Sequence, residues 1–348
     1  MNNFEHIPWL QALVKDTESV IHEIFETTGS AALKELLKSQ HSGGKRLRPM
    51  VVGASAQLGD NETQALAYGS AAIELFHLAS LFHDDVLDRT ESRRNRLTSQ
   101  KEVGISKSVL TGDYLLAGSI HLMVKHLPAE VVRYFLDTIQ LMIRSEITSN
   151  KLQYNWDITS KEYFDIIANK TAVLFAMAAS IGIRLTSSDQ TAIRHMSAFG
   201  HQLGIAYQLV DDLEDLMGVI EDSDNDLANG YFSLPMIELL NAAPKHNKTD
   251  IKKYVQNLNE TNRIHLLKLM RTFSIFKTMI AQIQKHLDAA KKELKYFEAG
   301  ESKKDSALAV LAGLCEQVSQ KAHKIVRTYE SMADRKMAEP PKKKLAIA

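Results

Sequence analysis

The chain has 348 residues, enough for one large domain or two ordinary ones. Its 45% hydrophobic content excludes wholesale disorder. Lysine plus arginine equals aspartate plus glutamate at 42 each, so the basic excess of a nucleic-acid binder is absent and no nucleic-acid partner is expected.

In chain order, Trp9, Leu13, Ile21, Ile24 and Phe25 fit one face of an opening helix. The segment Gly43-Gly44-Lys45-Arg46-Leu47-Arg48-Pro49 follows. Its glycines allow a tight turn, and its cations fall on the first turn of a helix that continues through MVVGASAQL. Backbone N–H groups and basic side chains at a helix start form an anion site. A helix from about 62 to 88 carries Ala71, Leu75, Leu78, Leu81 and Phe82, and it ends in Asp84-Asp85-Val86-Leu87-Asp88. The basic loop Arg93-Arg94-Asn95-Arg96 comes directly after it.

Helical periodicity continues over 107–126, 128–152, 160–185 and 189–220, the last containing Asp211-Asp212-Leu213-Glu214-Asp215. Residues 242–262 are polar and read as a surface excursion; further periodic stretches cover 250–271, 274–297 and 304–335. Cys315, the single cysteine, reads as a small apolar core residue. No intrachain disulfide can form, which fits a reducing compartment. The tail from Ala338, AEPPKKKLAIA, reads as frayed. One domain over 1–337 and a tail over 338–348 are expected.

The N-terminus has no basic region followed by an apolar core, and no apolar run approaches the roughly 20 residues that span a bilayer. The expected location is cytoplasmic, with at most peripheral membrane contact for product release. Gly and Pro are sparse, the helices are long, and 62–88 and 189–220 are apolar around much of their circumference. Such helices are surrounded by others, so the fold expected is a large all-α bundle with a central cavity.

The two acidic segments carry the chemistry. Residues four apart share a helix face, so Asp84 lies above Asp88 and Asp211 above Asp215. One such cluster is ordinarily a solvated helix end. Two, each preceded by buried apolar turns, read as the two jaws of a metal–diphosphate clamp, because stacked carboxylates repel unless a hard divalent cation neutralises them.

GGKRLRP, DDVLDRTESRR, the Lys170-Thr171 pair and YQLVDDLED, in that order, resemble the trans-prenyl diphosphate synthase family, over about residues 40–240. The resemblance implies an isoprenoid synthase type fold, a homodimer, and condensation of isopentenyl diphosphate onto an allylic diphosphate such as farnesyl or geranyl diphosphate. It implies about three Mg²⁺ per site, with Mn²⁺ also suited to oxygen ligands. Asp84, Asp88, Asp211 and Asp215 are the implied metal ligands. Asp85 and Asp212 join them in the catalytic set as supports, with Lys170. Lys45, Arg48, His77 and Arg94 are implied around the isopentenyl diphosphate; Arg93, Lys170, Thr171 and Gln208 are implied around the allylic diphosphate or the cation region, and Arg46 is counted with the substrate-binding residues.

Ala79 and Ser80 lie just over one turn before Asp84. Small residues there leave the hydrocarbon shaft open, so a long product in the hexaprenyl to nonaprenyl range is expected, as used for a quinone side chain. Two other readings are a non-catalytic or partner-dependent subunit of a heteromeric synthase, with a small regulatory subunit as a further partner, and a terpene cyclase. The basic pocket argues against a cyclase, which binds one diphosphate.

The chain departs from the family at four places. Asn95 follows Arg93-Arg94 where the family has glycine, and Gln100 replaces a histidine. Ser145-Glu146-Ile147-Thr148-Ser149 lacks a glutamine, and Glu221 falls where a lysine normally helps bind the leaving diphosphate. Glu221 weakens binding there unless another cation substitutes.

Overall fold

A computed structural model describes residues 4, 6–42, 44–61, 63–93, 96–149, 153–217, 227, 230–298 and 302–338. Helix α1 (Pro8–Glu26) starts with proline in its first turn, where no N–H is needed, and buries Leu10, Leu13, Thr17, Ile21 and Phe25 at helical spacing. Helix α2 (Ala31–His41) is capped by Ser30, whose hydroxyl accepts from Leu33 N. Arg46 takes a left-handed turn (φ 53°) and opens α3 (Leu47–Ala56).

Helix α4 (Leu66–Leu87) is buried at every position from Gly69 to Phe76, as its apolar circumference requires. A two-residue hairpin, β1 (Ser92–Arg93) and β2 (Arg96–Leu97), occupies the basic loop, with Ser92 opposite Leu97. Helices α5 (Ser99–Val103) and α6 (Ile105–His126) meet at Gly104, whose φ of 86° suits only glycine without strain. Then come α7 (Ala129–Ser149) and α8 (Ser160–Ile167), the latter closed by a Thr159–Glu162 capping box.

A π-helical turn, Ala168–Ala172, joins α8 to α9 (Val173–Arg184). Helix α10 (Gln190–Met217) carries the second acidic segment, and α11 (Leu234–Ala242) follows. Helices α12 (Lys245–Gln256), α13 (Glu260–Thr272), α14 (Ile275–Leu294) and α15 (Ser302–Ala338) complete the described chain. The stretch 250–271, expected to be one periodic helix, is two. Asn257–Asn259 break it, and the Asn259 side chain caps the second by accepting from Asn262 N at 3.0 Å. Helix α12 lies in the polar stretch expected at the surface and buries only Ile251 and Val255.

Helix α4 lies against α6, α1 and α3, while α10 lies against α9, α14 and α15. The α9–α10 approach depends on glycine. A Cβ at Gly200 would run into the Phe175 carbonyl oxygen, and one at Gly204 would stand 2.6 Å from Ala172 Cα. The buried apolar residues form one cluster running from Phe4 to Val326.

One expectation needs correction. The continuous helical stretch Ser160–Arg184 is long and apolar enough by composition to cross a bilayer, yet 67% of its most apolar window is buried among the other helices. The apolarity serves the core. Cys315 is fully buried, and burial pushes its thiol up to about 12. The tail from 339 lies outside the described residues.

Candidate active site

The first acidic segment closes α4. Asp84 and Asp88 are half-buried and Asp85 is buried. Asp88 N donates to Asp84 O at 2.8 Å. Thr90 N donates to Asp85 O at 2.9 Å, and Gln100 Nε2 donates to both Asp85 O and Thr90 O at 2.6 Å. Gln100, which stands where the resemblance expects histidine, therefore ties off the helix end that holds the acids.

Lys170 faces this segment from the π turn. Its Nζ lies 2.8 Å from Glu146 Oε2 on α7. Burial alone would lower its pKa, but Asp84, Glu146 and Asp88 outweigh that and hold it well above the usual lysine range. The next residue points to the other jaw: Thr171 Oγ1 donates to Gln208 Oε1 at 2.7 Å, and Gln208 Nε2 donates to Asp212 Oδ1 at 2.9 Å. Tyr163 donates its phenol to the other oxygen of Asp212. Single π turns within α-helical runs recur at functional sites. Here adjacent residues of the turn address the two acidic segments, Lys170 the first and Thr171, through Gln208, the second.

Asp212 is buried and accepts on both oxygens, so it braces the wall. Asp211, Glu214 and Asp215 are half-buried. Asp211 and Glu214 share a cation that no motif supplied: Lys321 on α15, whose Nζ lies 3.4 Å from Asp211 Oδ1 and 2.5 Å from Glu214 Oε2. Burial pushes the Asp211 carboxyl up to about 6; Lys321 opposes the shift and Glu214 adds to it. Lys321 occupies the inward stripe of α15, seven residues after buried Leu314 and four before buried Ile325. A lone lysine on an apolar stripe is a legible signal, but its carboxylate partners are not.

The basic segments converge on the same region. Arg48 lies over the Phe175 ring at 5.0 Å, Phe175 and Tyr207 rings are 5.2 Å apart, and Lys321 lies 5.7 Å from the Tyr207 ring. Lys45 is exposed and near enough to Asp211 to act on its ionisation. The hairpin is bound to the chain just before GGKRLRP: Arg96 Nη1 donates to Ser39 O at 2.8 Å and to Ser42 Oγ, and Gln40 Nε2 donates to Leu97 O at 3.0 Å. That tie brings the two basic motifs together. The Arg93 side chain, Arg94, Asn95 and Glu221 lie outside the described residues.

Arg46 departs from expectation. Its guanidinium donates to Glu18 and to His41 O at 3.1 Å, and lies 3.7 Å from Glu74 Oε2. It is a strut between α1, α2 and α4, beneath the basic turn. Gln208 spends its amide on Thr171 and Asp212, which aligns the second acidic segment. His77 is half-buried and two turns before Asp84 on the same face of α4. Ala79 is buried, and the Ser80 hydroxyl donates to His77 O at 2.8 Å.

The donor set fits hard divalent ions: it is all oxygen, and it is already balanced by lysines. Among the described residues no three His, Cys, Asp or Glu side chains converge closely enough to hold an ion by themselves. Magnesium sites of this kind are completed by substrate phosphate oxygens and water.

The polyprenyl synthetase family model matches residues 30–272, which include both acidic segments, Lys170-Thr171 and GGKRLRP. The chain belongs to the polyprenyl synthetase family. This polyprenyl synthetase is a prenyltransferase, and the cyclase reading is set aside. It is 31% identical over 235 residues to heptaprenyl diphosphate synthase component 2 of Geobacillus stearothermophilus, covering 66% of this chain and 72% of that one. A decaprenyl diphosphate synthase from Rhodobacter capsulatus superposes with a TM-score of 0.82 at 26% identity, over 90% of this chain and 99% of that one. A polyprenyl synthase from Caulobacter crescentus CB15, solved with calcium and isoprenyl diphosphate, shares the fold with a TM-score of 0.80 at 24% identity, over 89% and 95% of the two chains. The all-α isoprenoid synthase fold expected from the sequence is the fold of this polyprenyl synthetase.

Proposed function

We propose that the chain extends an allylic diphosphate, farnesyl or geranyl, with isopentenyl diphosphate in a Mg²⁺-dependent reaction, and that residues 1–337 act as one domain. The observation that carries this reading is the Lys170–Thr171 step: one side chain faces Asp84 and Asp88, and the next is bonded through Gln208 to Asp212. Successive residues of one turn thus connect the two acidic segments, which supports a shared site between them.

Asp84 and Asp88 from α4, with Asp211 and Asp215 from α10, would hold the cations, and Asp85 and Asp212 would fix those two walls. When bound, the cations neutralise charge developing on the leaving diphosphate. Lys170 lies close enough to both Asp84 and Asp88 to bind the same diphosphate from the π-turn side. The C–O bond breaks to give an allylic cation and diphosphate, and the isopentenyl double bond attacks the cation. The proton lost in restoring the double bond passes to the released diphosphate. Lys45, Arg48, His77 and Arg94 form the second, metal-independent anion pocket. The binding of the hairpin to the Ser39–Ser42 turn supports that grouping.

The product is long, since Ala79 and Ser80 put no bulk below the first acidic wall; a quinone side chain in the hexaprenyl to nonaprenyl range fits. The chain acts in the cytoplasm as a homodimer. Ile105, Leu110 and Val124 on α6 and Ile143 and Ile147 on α7 are 47–66% exposed on neighbouring helices, and a second copy would cover them. A second reading is a catalytic subunit that needs a small partner. It is favoured by the Geobacillus relative, named as component 2 of its synthase.

Incubating the purified chain with isopentenyl diphosphate, farnesyl diphosphate and Mg²⁺, and sizing products by mass spectrometry, tests both. Elongation by the chain alone excludes the partner-dependent reading. No elongation with any primer, alone or with a candidate partner, removes the main one.

A further inference from the structure

The second acidic wall already holds a cation, and that cation comes from outside the matched span 30–272. We propose that Lys321 is a diphosphate-binding residue that rests on Asp211 and Glu214 until divalent cations take those carboxylates, and then carries its charge to the leaving diphosphate. The inference deepens the prenyl synthase reading and rests on it.

The geometry sets up a competition. Lys321 Nζ sits between the two carboxylates, 3.4 Å from Asp211 and 2.5 Å from Glu214. A divalent cation drawn to Asp211 meets a resident positive charge at the same oxygen, and the two repel. The lysine has somewhere to go: its side chain is 25% exposed, and four rotatable carbons carry a point charge that needs no fixed orientation. It does not leave the site. The backbone at 321 is fixed by buried Val318, Ala322 and Ile325, and the ammonium lies 5.7 Å from the Tyr207 ring.

Across that ring stands Phe175, with Arg48 of the basic turn over its other side. Lys321 and Arg48 thus flank one aromatic pair, from α15 and α3 respectively. A charge released from Asp211 stays beside those ring faces, which attract cations, with Arg48 on their far side. The alternative is a purely structural ion pair stitching α15 to α10.

Two binding constants separate these roles, measured on the full chain as wild type, Lys321→Gln and Lys321→Arg. Mn²⁺ affinity is read by electron paramagnetic resonance without substrate, and inorganic pyrophosphate affinity by calorimetry in saturating Mg²⁺. Loss of the resident charge makes Lys321→Gln bind Mn²⁺ several-fold more tightly, yet bind pyrophosphate about tenfold or more weakly, the size of one hydrogen bond to a charged group. Lys321→Arg keeps pyrophosphate binding near wild type. Lys321→Met retains the apolar stem and reads the same pair of constants should the glutamine variant fold poorly. If both affinities fall together, or neither moves, the pair is structural and the proposal is wrong. A wild-type chain that binds neither Mn²⁺ nor pyrophosphate overturns the prenyl synthase reading and the inference with it. Wild type binding both, with the variants unchanged, overturns the inference alone.

Discussion

Thr171 Oγ1 donates to Gln208 Oε1 at 2.7 Å, which ties the π turn to the middle of α10 one residue beyond the lysine that faces the opposite wall. The amide nitrogen of Gln208 then holds Asp212 at 2.9 Å, so a single side chain relays the position of one wall to the turn between them. Gln208→Leu removes both bonds and leaves a buried carboxylate with one donor fewer. It is expected to cost about 1–3 kcal/mol of stability and to weaken Mn²⁺ binding. Urea unfolding and metal titration would read the two effects, and unaltered metal affinity would remove Gln208 from the site's framework.

Ala79 is buried on α4 just over one turn before Asp84. Ala79→Phe puts an aromatic ring into the path of the growing hydrocarbon. The product should shorten by several isoprene units while initial turnover with the short primer is kept. Mass spectrometry of the products decides it; an unchanged length would place the floor elsewhere.

Gly204 passes within reach of Ala172, and a Cβ there stands 2.6 Å from the Ala172 Cα. The contact is backbone, so no side-chain rotation relieves it. Gly204→Ala should destabilise by about 1–3 kcal/mol and push the π turn away from α10, lowering activity more than the lost stability explains. Thermal unfolding beside a kinetic assay checks this.

Glu18 lies under the basic turn, bonded by His41 and Arg46. Burial would raise its pKa, but the hydrogen bonds from His41 and Arg46 and their charges hold it down to about 2. A carboxyl depressed on folding contributes stability above its ordinary pKa of 4.5 and loses it as pH falls towards 2. Wild type should therefore exceed Glu18→Gln by on the order of 2 kcal/mol at neutral pH, with the gap closing between about pH 4.5 and 2. Denaturant curves at several pH values measure it, and a gap independent of pH would sink this account.

Leu110 and Ile147 are 65% and 66% exposed on α6 and α7. A charge at either site should split the proposed homodimer, so Leu110→Lys with Ile147→Lys is expected to sediment as a monomer while wild type does not. Wild-type sedimentation as a monomer would contradict the dimer directly.

Much of the site could be read from the chain because its signals are local. Asp84 with Asp88, and Asp211 with Asp215, share faces through helix geometry alone, and Lys45 and Arg48 at a helix start announce an anion site whatever surrounds them. The apolar circumference of α4 likewise requires that other helices enclose it. Three features were not legible. The break at Asn257–Asn259 turned on a cap that outweighed the apolar period on either side. Arg46 sat in a basic motif, yet its partners Glu18 and Glu74 come from other helices. Lys321 reached Asp211 across 110 positions of chain, a pairing that no spacing rule reports.

By itself, then, the order of residues determined which segments coil, which faces are apolar and which chemical groups stand together on a single turn, because those depend on neighbours within a few positions. Only the tertiary structure decided which charges neutralise one another and which acids are braced, because Coulomb attraction and hydrogen bonding act through space between side chains that the backbone holds far apart in sequence.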